Sequence, residues 1–275
     1  MNYRHAYHAG NFADVMKHTA LVAVLLHLRK KEAPFAVIDT HAGRGFYDLS
    51  GTEAQKTGEA GQGIERLGSA ASGHEPLATY LDIARSFGTN RYPGSPLIAA
   101  RLLRPQDRLA AIEKHPEEAG ALTEALKPFR KARTIAGDGY TQLIKLLPPQ
   151  ERRGVILIDP PFEAPNEFEQ IGQTFGQAIK RFATGIYLLW FPIKTRSDAE
   201  SLSGELLAQG ATKLLRIQLA VSAKEEGRLA ETGLLIVNPP YGFDEQMRQT
   251  LGAIAMPLGG ISPARWSVDW LAGES

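Results

Sequence analysis

Apolar residues along the chain follow two alternating rhythms. Between 12 and 31 they recur mostly three or four apart, at Val15, Ala20, Leu21, Val24, Leu25 and Leu28, which predicts a helix. Arg29-Lys30-Lys31 suits the negative pole of its dipole, and Pro34 stops it. Then Phe35-Ala36-Val37-Ile38 reads as a buried strand, ending in Asp39 and the turn Ala42-Gly43-Arg44-Gly45. Similar apolar runs recur at 109–112, 155–158, 186–191, 214–219 and 234–237, with a weaker one at 134–136. Helical stretches at 94–104, 116–127, 138–147, 166–182 and 197–209 separate most of them. This alternation predicts an α/β fold with a mostly parallel, seven-stranded sheet covered by helices on both faces. The last two strands, 213–221 and 232–238, are joined by the polar segment 222–231 and are expected to form an antiparallel hairpin at the sheet edge.

One stretch breaks the rhythm. Residues 47–92 are rich in glycine and serine, with helical pieces near 58–68 and 75–87 and no clear strand. Because a structureless loop of that length is uncommon in a compact domain, an inserted helical subdomain on the substrate side is expected. The main domain is then 1–46 and 93–275.

Composition narrows the function classes. Hydrophobic residues are 43% and charged residues 22% of 275, ordinary for a chain with a large core. No apolar run reaches the ~18 residues that span a bilayer, and the N-terminus lacks a signal peptide's apolar stretch, so no membrane role and a cytoplasmic location are expected. There is no cysteine. That excludes disulfides, thiolate zinc sites, iron–sulfur clusters and cysteine nucleophiles, and with them methylation of ring carbons through a cysteine adduct or a radical. Net charge is +1, although Lys127, Arg130, Lys131, Arg133 and Arg152-Arg153 cluster; these read first as solvated surface rather than an RNA track.

The chemistry is carried by acids at strand ends. Asp39 ends the first strand, Glu113 the second, and Asp138 follows the third. Ligands of open α/β sheets bind at the carboxyl ends of the strands. Glu113 is placed to accept from two ribose hydroxyls, and Asp138 to approach an adenine amine. The glycine turn fits no dinucleotide fingerprint, since Asp48 stands where a third glycine is needed. After the fourth strand comes Asp159-Pro160-Pro161-Phe162, and a second such pattern, Asn238-Pro239-Pro240-Tyr241, follows the last. An acid or amide and a prolyl carbonyl can accept both hydrogens of a planar amine while the ring stacks on its base. Acid series and Pro-Pro motif together describe a Rossmann-like class I S-adenosyl-L-methionine-dependent amino methyltransferase. Only Asp159 follows the acids in order, so it is taken as catalytic, and Asn238–Tyr241 as a stiff turn ending an edge hairpin. His5-x-x-His8 aside, the spacings of His5, His8, His18 and His41 match no standard metal site, and no metal is expected.

With these residues assembled, the chain closely resembles the RlmJ family of bacterial adenine-N6 methyltransferases of 23S ribosomal RNA. The resemblance spans nearly the whole chain and is most specific at Tyr3-Arg4-His5-Ala6, His8-Ala9-Gly10-Asn11, Ala13-Asp14-Val15 with Lys17-His18, Asp39 to Gly43, Tyr92 to Pro96, Glu113, Asp138-Gly139 and Ile158 to Phe162. It implies cofactor contacts at His18, His41, Ser95, Glu113, Asp138, Gly139 and Asp159, with S-adenosyl-L-methionine as the cofactor. Catalysis falls to Asp159, Pro160 and Phe162, and Tyr3, within an N-terminal segment 1–11, meets the RNA. Phe162 stands where many members carry Tyr. The implied partner is 23S ribosomal RNA, naked or early in assembly, met by a monomer. Chemistry alone also admits N4 of cytosine and N2 of guanine. A DNA adenine methyltransferase and a non-catalytic protein of DNA uptake and utilisation are the competing readings.

Overall fold

A computed structural model describes residues 7–68, 74–164, 166–221 and 229–273. In chain order the elements are α1 (Phe12–Arg29), β1 (Ala36–Asp39), β2 (Phe46–Asp48), α2 (Thr52–Thr57), α3 (Glu59–Gln62), α4 (Glu75–Arg85), β3 (Arg91–Pro93), α5 (Ser95–Leu102), β4 (Arg108–Glu113) and α6 (Pro116–Leu126). They continue as β5 (Ala132–Ala136), α7 (Gly139–Leu146), β6 (Gly154–Ile158), α8 (Glu167–Arg181), β7 (Ile186–Pro192), α9 (Arg196–Ala208), β8 (Leu214–Ala220), β9 (Glu231–Val237), α10 (Phe243–Gly259) and β10 (Arg265–Ala272).

Eight strands form one sheet in the order β10-β8-β9-β7-β6-β1-β4-β5. β5, β4, β1, β6 and β7 run parallel to one another; β9 runs antiparallel between β7 and β8. The inner parallel strands are largely continuous apolar runs because helices cover them on both faces, whereas β5 at the edge is only partly buried. One core joins the sheet to α1, α4, α5, α6 and α10, the other to α7, α8 and α9. Among the described residues no helix is long and apolar enough to cross a membrane.

Four expectations are corrected. The sheet has eight strands, not seven: Arg265–Ala272 pairs antiparallel with β8. The β8–β9 hairpin is therefore interior, and β10 is the edge; residues 222–228 of its connection lie outside the described residues. The stretch 47–92 does carry strand at its ends, since β2 pairs with β3 as a two-stranded ribbon. Between them, α4 packs on α1 and contributes Leu77, Tyr80 and Leu81 to the same core. The first helix also ends at Arg29, two residues early, because nothing apolar remains to bury beyond Leu28.

α1 is unusual in being buried on every side from Phe12 to Leu25. Asn11 caps it, accepting from the Asp14 amide at 2.9 Å. A helix enclosed all round cannot send its polar side chains to water, so Asp14, Lys17, His18 and Thr19 have to find partners inside the protein.

Candidate active site

The carboxyl ends of β1, β4, β5 and β6 share one rim of the sheet, which brings Asp39, Glu113, Asp138 and Asp159 together as anticipated. Thr40 fixes the first loop, bonding the Leu157 carbonyl through both its amide and its hydroxyl at 3.0 Å. The chain then turns through Gly43 (φ +61°) and Gly45 (φ +78°), left-handed positions that glycine adopts without strain. That turn points the Gly43 amide at Glu113 Oε2, 2.9 Å away, while the His115 amide donates to Oε1 at 2.8 Å. Glu113 is thus buried and immobilised by backbone from both sides. A carboxylate has about four acceptor sites, which leaves capacity for a pair of hydroxyls.

Asp138 caps α7, its Oδ1 accepting from the amide and hydroxyl of Thr141 at 3.0 and 2.9 Å. Partial burial works against its charge, but the Thr141 bonds and then Lys114 and His41 hold its pKa below the ordinary value. A Cβ on Gly139 would lie 2.2 Å from the Thr40 carbonyl oxygen, so only glycine lets these two loops meet. His41 sits between them, edge-on to Tyr140 with centroids 5.0 Å apart, its Nδ1 2.8 Å from the Thr40 hydroxyl. Burial lowers its pKa to about 4, so the ring is neutral at pH 7.

Asp39 is 1% exposed. Ser95 donates to its Oδ2 at 2.6 Å, whereas Oδ1 is buried with no hydrogen-bond partner among the described residues. Burial first, and then the charge of Asp159, pushes its pKa up to about 7 against the opposing Ser95 bond and Lys17. An unsatisfied buried acceptor on this rim suits a cationic donor from a ligand. His18 is 1% exposed: its Nδ1 is 2.7 Å from the Tyr92 hydroxyl, which is 2.9 Å from that of Tyr80, and its Nε2 is 3.9 Å from Asp14 Oδ1, which also holds Lys17. In this structure little of His18 is accessible to a ligand.

The side chain to which the sequence reading gave no role is Lys17. It is 4% exposed and lies 2.5 Å from Asp159 Oδ2 and 2.8 Å from Asp14 Oδ1. Burial alone would lower its pKa; Asp14 and Asp159 outweigh that and keep the ammonium charged. Asp14 is fixed in turn by the Gly10 amide at 2.9 Å. The signal was available: Asp14 and Lys17 are an i, i+3 charge pair inside an otherwise apolar helix. Beside Asp159, Phe162 takes a left-handed backbone (φ +51°) and sets its ring against Phe168 and edge-on to Trp190, with centroids 5.1 and 5.7 Å apart. Lys17 Nζ stands 5.8 Å from the Trp190 ring. An anchored carboxylate and an aromatic wall therefore meet at the end of β6, with Pro160 next in the chain. Tyr3 lies outside the described residues.

Residues 32–272 match the family described as Ribosomal RNA large subunit methyltransferase D, RlmJ. The chain belongs to the RlmJ family. Two proteins named Ribosomal RNA large subunit methyltransferase J are similar to it over 100% of both chains, at 38% identity in Escherichia coli and 37% in Haemophilus influenzae. A crystal structure of a Legionella pneumophila protein matches with a TM-score of 0.86 at 31% identity, covering 96% of this chain and 98% of the other. A probable spermidine synthase from Corynebacterium glutamicum, 14% identical, shares the fold alone with a TM-score of 0.53, covering 97% of this chain and 78% of the other. The RlmJ chain has the Rossmann-like class I methyltransferase fold.

The second Pro-Pro pattern of this RlmJ chain sits elsewhere. β9 runs antiparallel to β7, with Val237 opposite Tyr187, so Asn238 is on the rim opposite Asp159 rather than deeper along an edge. Its amide donates to the carbonyls of Ala183 and Gly185, both at 2.8 Å, tying the turn to the entry of β7. Here the left-handed residue is Asn238 itself (φ +54°), not the aromatic one. Tyr241 projects into solvent, 91% exposed.

Proposed function

We propose that the protein transfers a methyl group from S-adenosyl-L-methionine to the exocyclic N6 amine of one adenine in 23S ribosomal RNA. The observation that carries this reading is the Lys17–Asp159 pair at the end of β6, which holds a carboxylate oxygen beside the Phe162–Trp190 wall. Names of the relatives support ribosomal RNA as the substrate.

Residues on the rim suit the cofactor. Glu113 would take its ribose hydroxyls and Asp138 with Gly139 its adenine end, while the unpartnered Asp39 Oδ1 offers an acceptor for its amino group. The bound cofactor supplies an electrophilic methyl on a sulfonium. What the chain must supply is a competent amine, whose lone pair is delocalised into the adenine ring. Asp159 and the Pro160 carbonyl accept the two amine hydrogens, turning the lone pair out of the ring and stabilising the charge that develops on nitrogen. Lys17 keeps Asp159 aimed. Asp159 does not need to be a strong base, because the proton can leave to water after transfer. Extruding the adenine costs a few kcal/mol, and stacking on Phe162 offsets about 1–3 kcal/mol of it.

The test incubates the protein with labelled S-adenosyl-L-methionine and either deproteinised ribosomal RNA or duplex DNA, then digests to nucleosides for mass spectrometry. Label as N6-methyladenosine in RNA is expected. Label in DNA alone, on cytosine or guanine, or nowhere, would overturn the reading.

A further inference from the structure

The rim opposite the active site carries a charge pattern that net charge conceals. Each parallel strand is entered there by a connection, and the stretches 29–33, 127–133 and 150–153 around three of those entries hold nine basic residues against two acids, Glu32 and Glu151, the latter paired with Arg108. Sequence alone favoured solvated surface for two of these clusters; the fold places them, with the end of α1, along one rim. β5, β1 and β6, which they enter, lie within four adjacent strands, and Asn238–Tyr241 follows β9, two strands further on. At ~4.8 Å per strand the row from β5 to β9 is about 24 Å long.

Part of this charge has structural work. Arg104 and Arg153 donate to the carbonyls that end α1, at Leu28, Lys31 and Ala33, and Lys127 bonds Glu124. Lys30, Lys31, Arg130, Lys131, Arg133 and Arg152 do not share it. All six are exposed, and none forms an ion pair with a described residue. His27 senses the result, its pKa held down by burial and then by Lys30, Arg153 and Lys31. Lys30 and Tyr241 line one groove of about 120 Å³, floored by Pro240 and Phe243. Glu75 lines it as well, which places a bound phosphate on the lysine side. Two prolines and the Asn238 amide bonds stiffen the turn that presents the Tyr241 ring.

We propose that this rim is a second contact surface for the RNA substrate, its six free cations on phosphates and Tyr241 stacked under an unpaired base. A stiffened, exposed ring beside a row of cations is the arrangement by which proteins hold single-stranded nucleic acid. Strands of four to seven residues separate this rim from Asp159, about 13–23 Å, so one folded RNA can touch both. The proposal rests on the RNA substrate assigned above.

The experiment compares full-length protein with Lys30→Glu/Lys31→Glu, Arg130→Glu/Lys131→Glu and Tyr241→Ala. Binding to deproteinised 23S ribosomal RNA is followed against salt, and methyl transfer is followed on that RNA and on a short adenine-containing oligoribonucleotide. Each charge-reversal pair should lower the salt slope by about 2, about 1 for each phosphate no longer neutralised. Tyr241→Ala should weaken binding roughly 5- to 140-fold, the loss of one stacked base. KM on the long RNA should rise, with kcat and turnover of the oligoribonucleotide unchanged. Unaltered affinity and salt slope in all three variants would overturn the proposal and leave the rim to a protein partner; equal losses on long and short RNA would overturn it too. Absence of methyl transfer by the unaltered protein would instead sink the substrate assignment, and the binding series still reads the surface.

Discussion

Replacing Lys17 with methionine keeps the shape of the side chain and removes its charge. In the native protein that charge sits between two carboxylates, Asp14 at 2% side-chain exposure and Asp159 at 13%. Removing one partner of a buried ion pair costs about 3–5 kcal/mol, since the other is left uncompensated. Asp14 keeps the Gly10 amide, and Asp159 is near solvent, so the lower half of that range is expected. At roughly 2–4 °C per kcal/mol, Tm should fall by at least about 6 °C. The double variant Lys17→Met/Asp14→Leu should recover at least ~1 kcal/mol of the loss, because it no longer strands a buried acid. Turnover should drop ~100-fold or more with cofactor affinity little changed, since Asp159 loses the group that aims it. Urea denaturation with an unchanged slope gives the first two quantities, and methyl transfer with cofactor titration the third. A Lys17→Met protein within ~1 kcal/mol of the parent and fully active would refute the reasoning.

Four other outcomes follow from the same geometry. Asp159→Ala should abolish methyl transfer while cofactor binding, measured by calorimetry, largely survives; an active variant would remove Asp159 from the chemistry. Asn238→Ala should lose about 1–3 kcal/mol, from two hydrogen bonds and a left-handed backbone that alanine resists, yet keep its kcat. Gly139→Ala should both destabilise the fold and weaken cofactor binding, because its methyl group would meet the Thr40 carbonyl; normal affinity in a stable variant would show that the loops need not approach. The last concerns pH. Asp39 has its folded pKa raised to about 7, so it contributes stability present below the ordinary carboxylate pKa and lost as pH rises through about 7. His41, lowered to about 4, contributes the opposite, stability present above pH 6.5 and lost as pH falls through about 4. The stability of Asp39→Asn relative to the parent should therefore climb between about pH 4 and 7 and level off above it, and a difference flat with pH would count against the burial of that carboxylate.

Much of the parallel sheet was legible because buried parallel strands are unbroken apolar runs, as at Val155–Ile158. The acids were legible for a related reason: a charged residue ending such a run can only sit at a strand end. Residues 243–272 went unread although their periods are plain. Phe243, Met247, Leu251, Ile254 and Leu258 are spaced for a helix, with Pro257 against it, and Trp266, Val268 and Trp270 alternate as a strand does. Lys17 was legible only as half of a charge pair with Asp14. Its role depends on a partner 142 residues away, and no local period encodes that. The second Pro-Pro turn shows the same limit. Its letters nearly match the first, but strand direction, fixed by pairing with β7 and β8, sends it to the other rim.

The Lys17–Asp159 pair also sets a timetable for synthesis. At ~5–20 residues per second the ribosome needs roughly 7–28 s to travel from one partner to the other. Throughout that interval Lys17 has Asp14 within its own helix but not the second carboxylate that it holds in the finished fold. β1 is in the same position, with half its ladder waiting for β6. A nascent chain stalled before residue 159 therefore cannot close its core around α1, and a gene fragment cut there should yield an aggregating or proteolysed product rather than a smaller folded domain. The Lys17–Asp159 pair thus marks the arrival of β6, with 116 of the 275 residues still to be made.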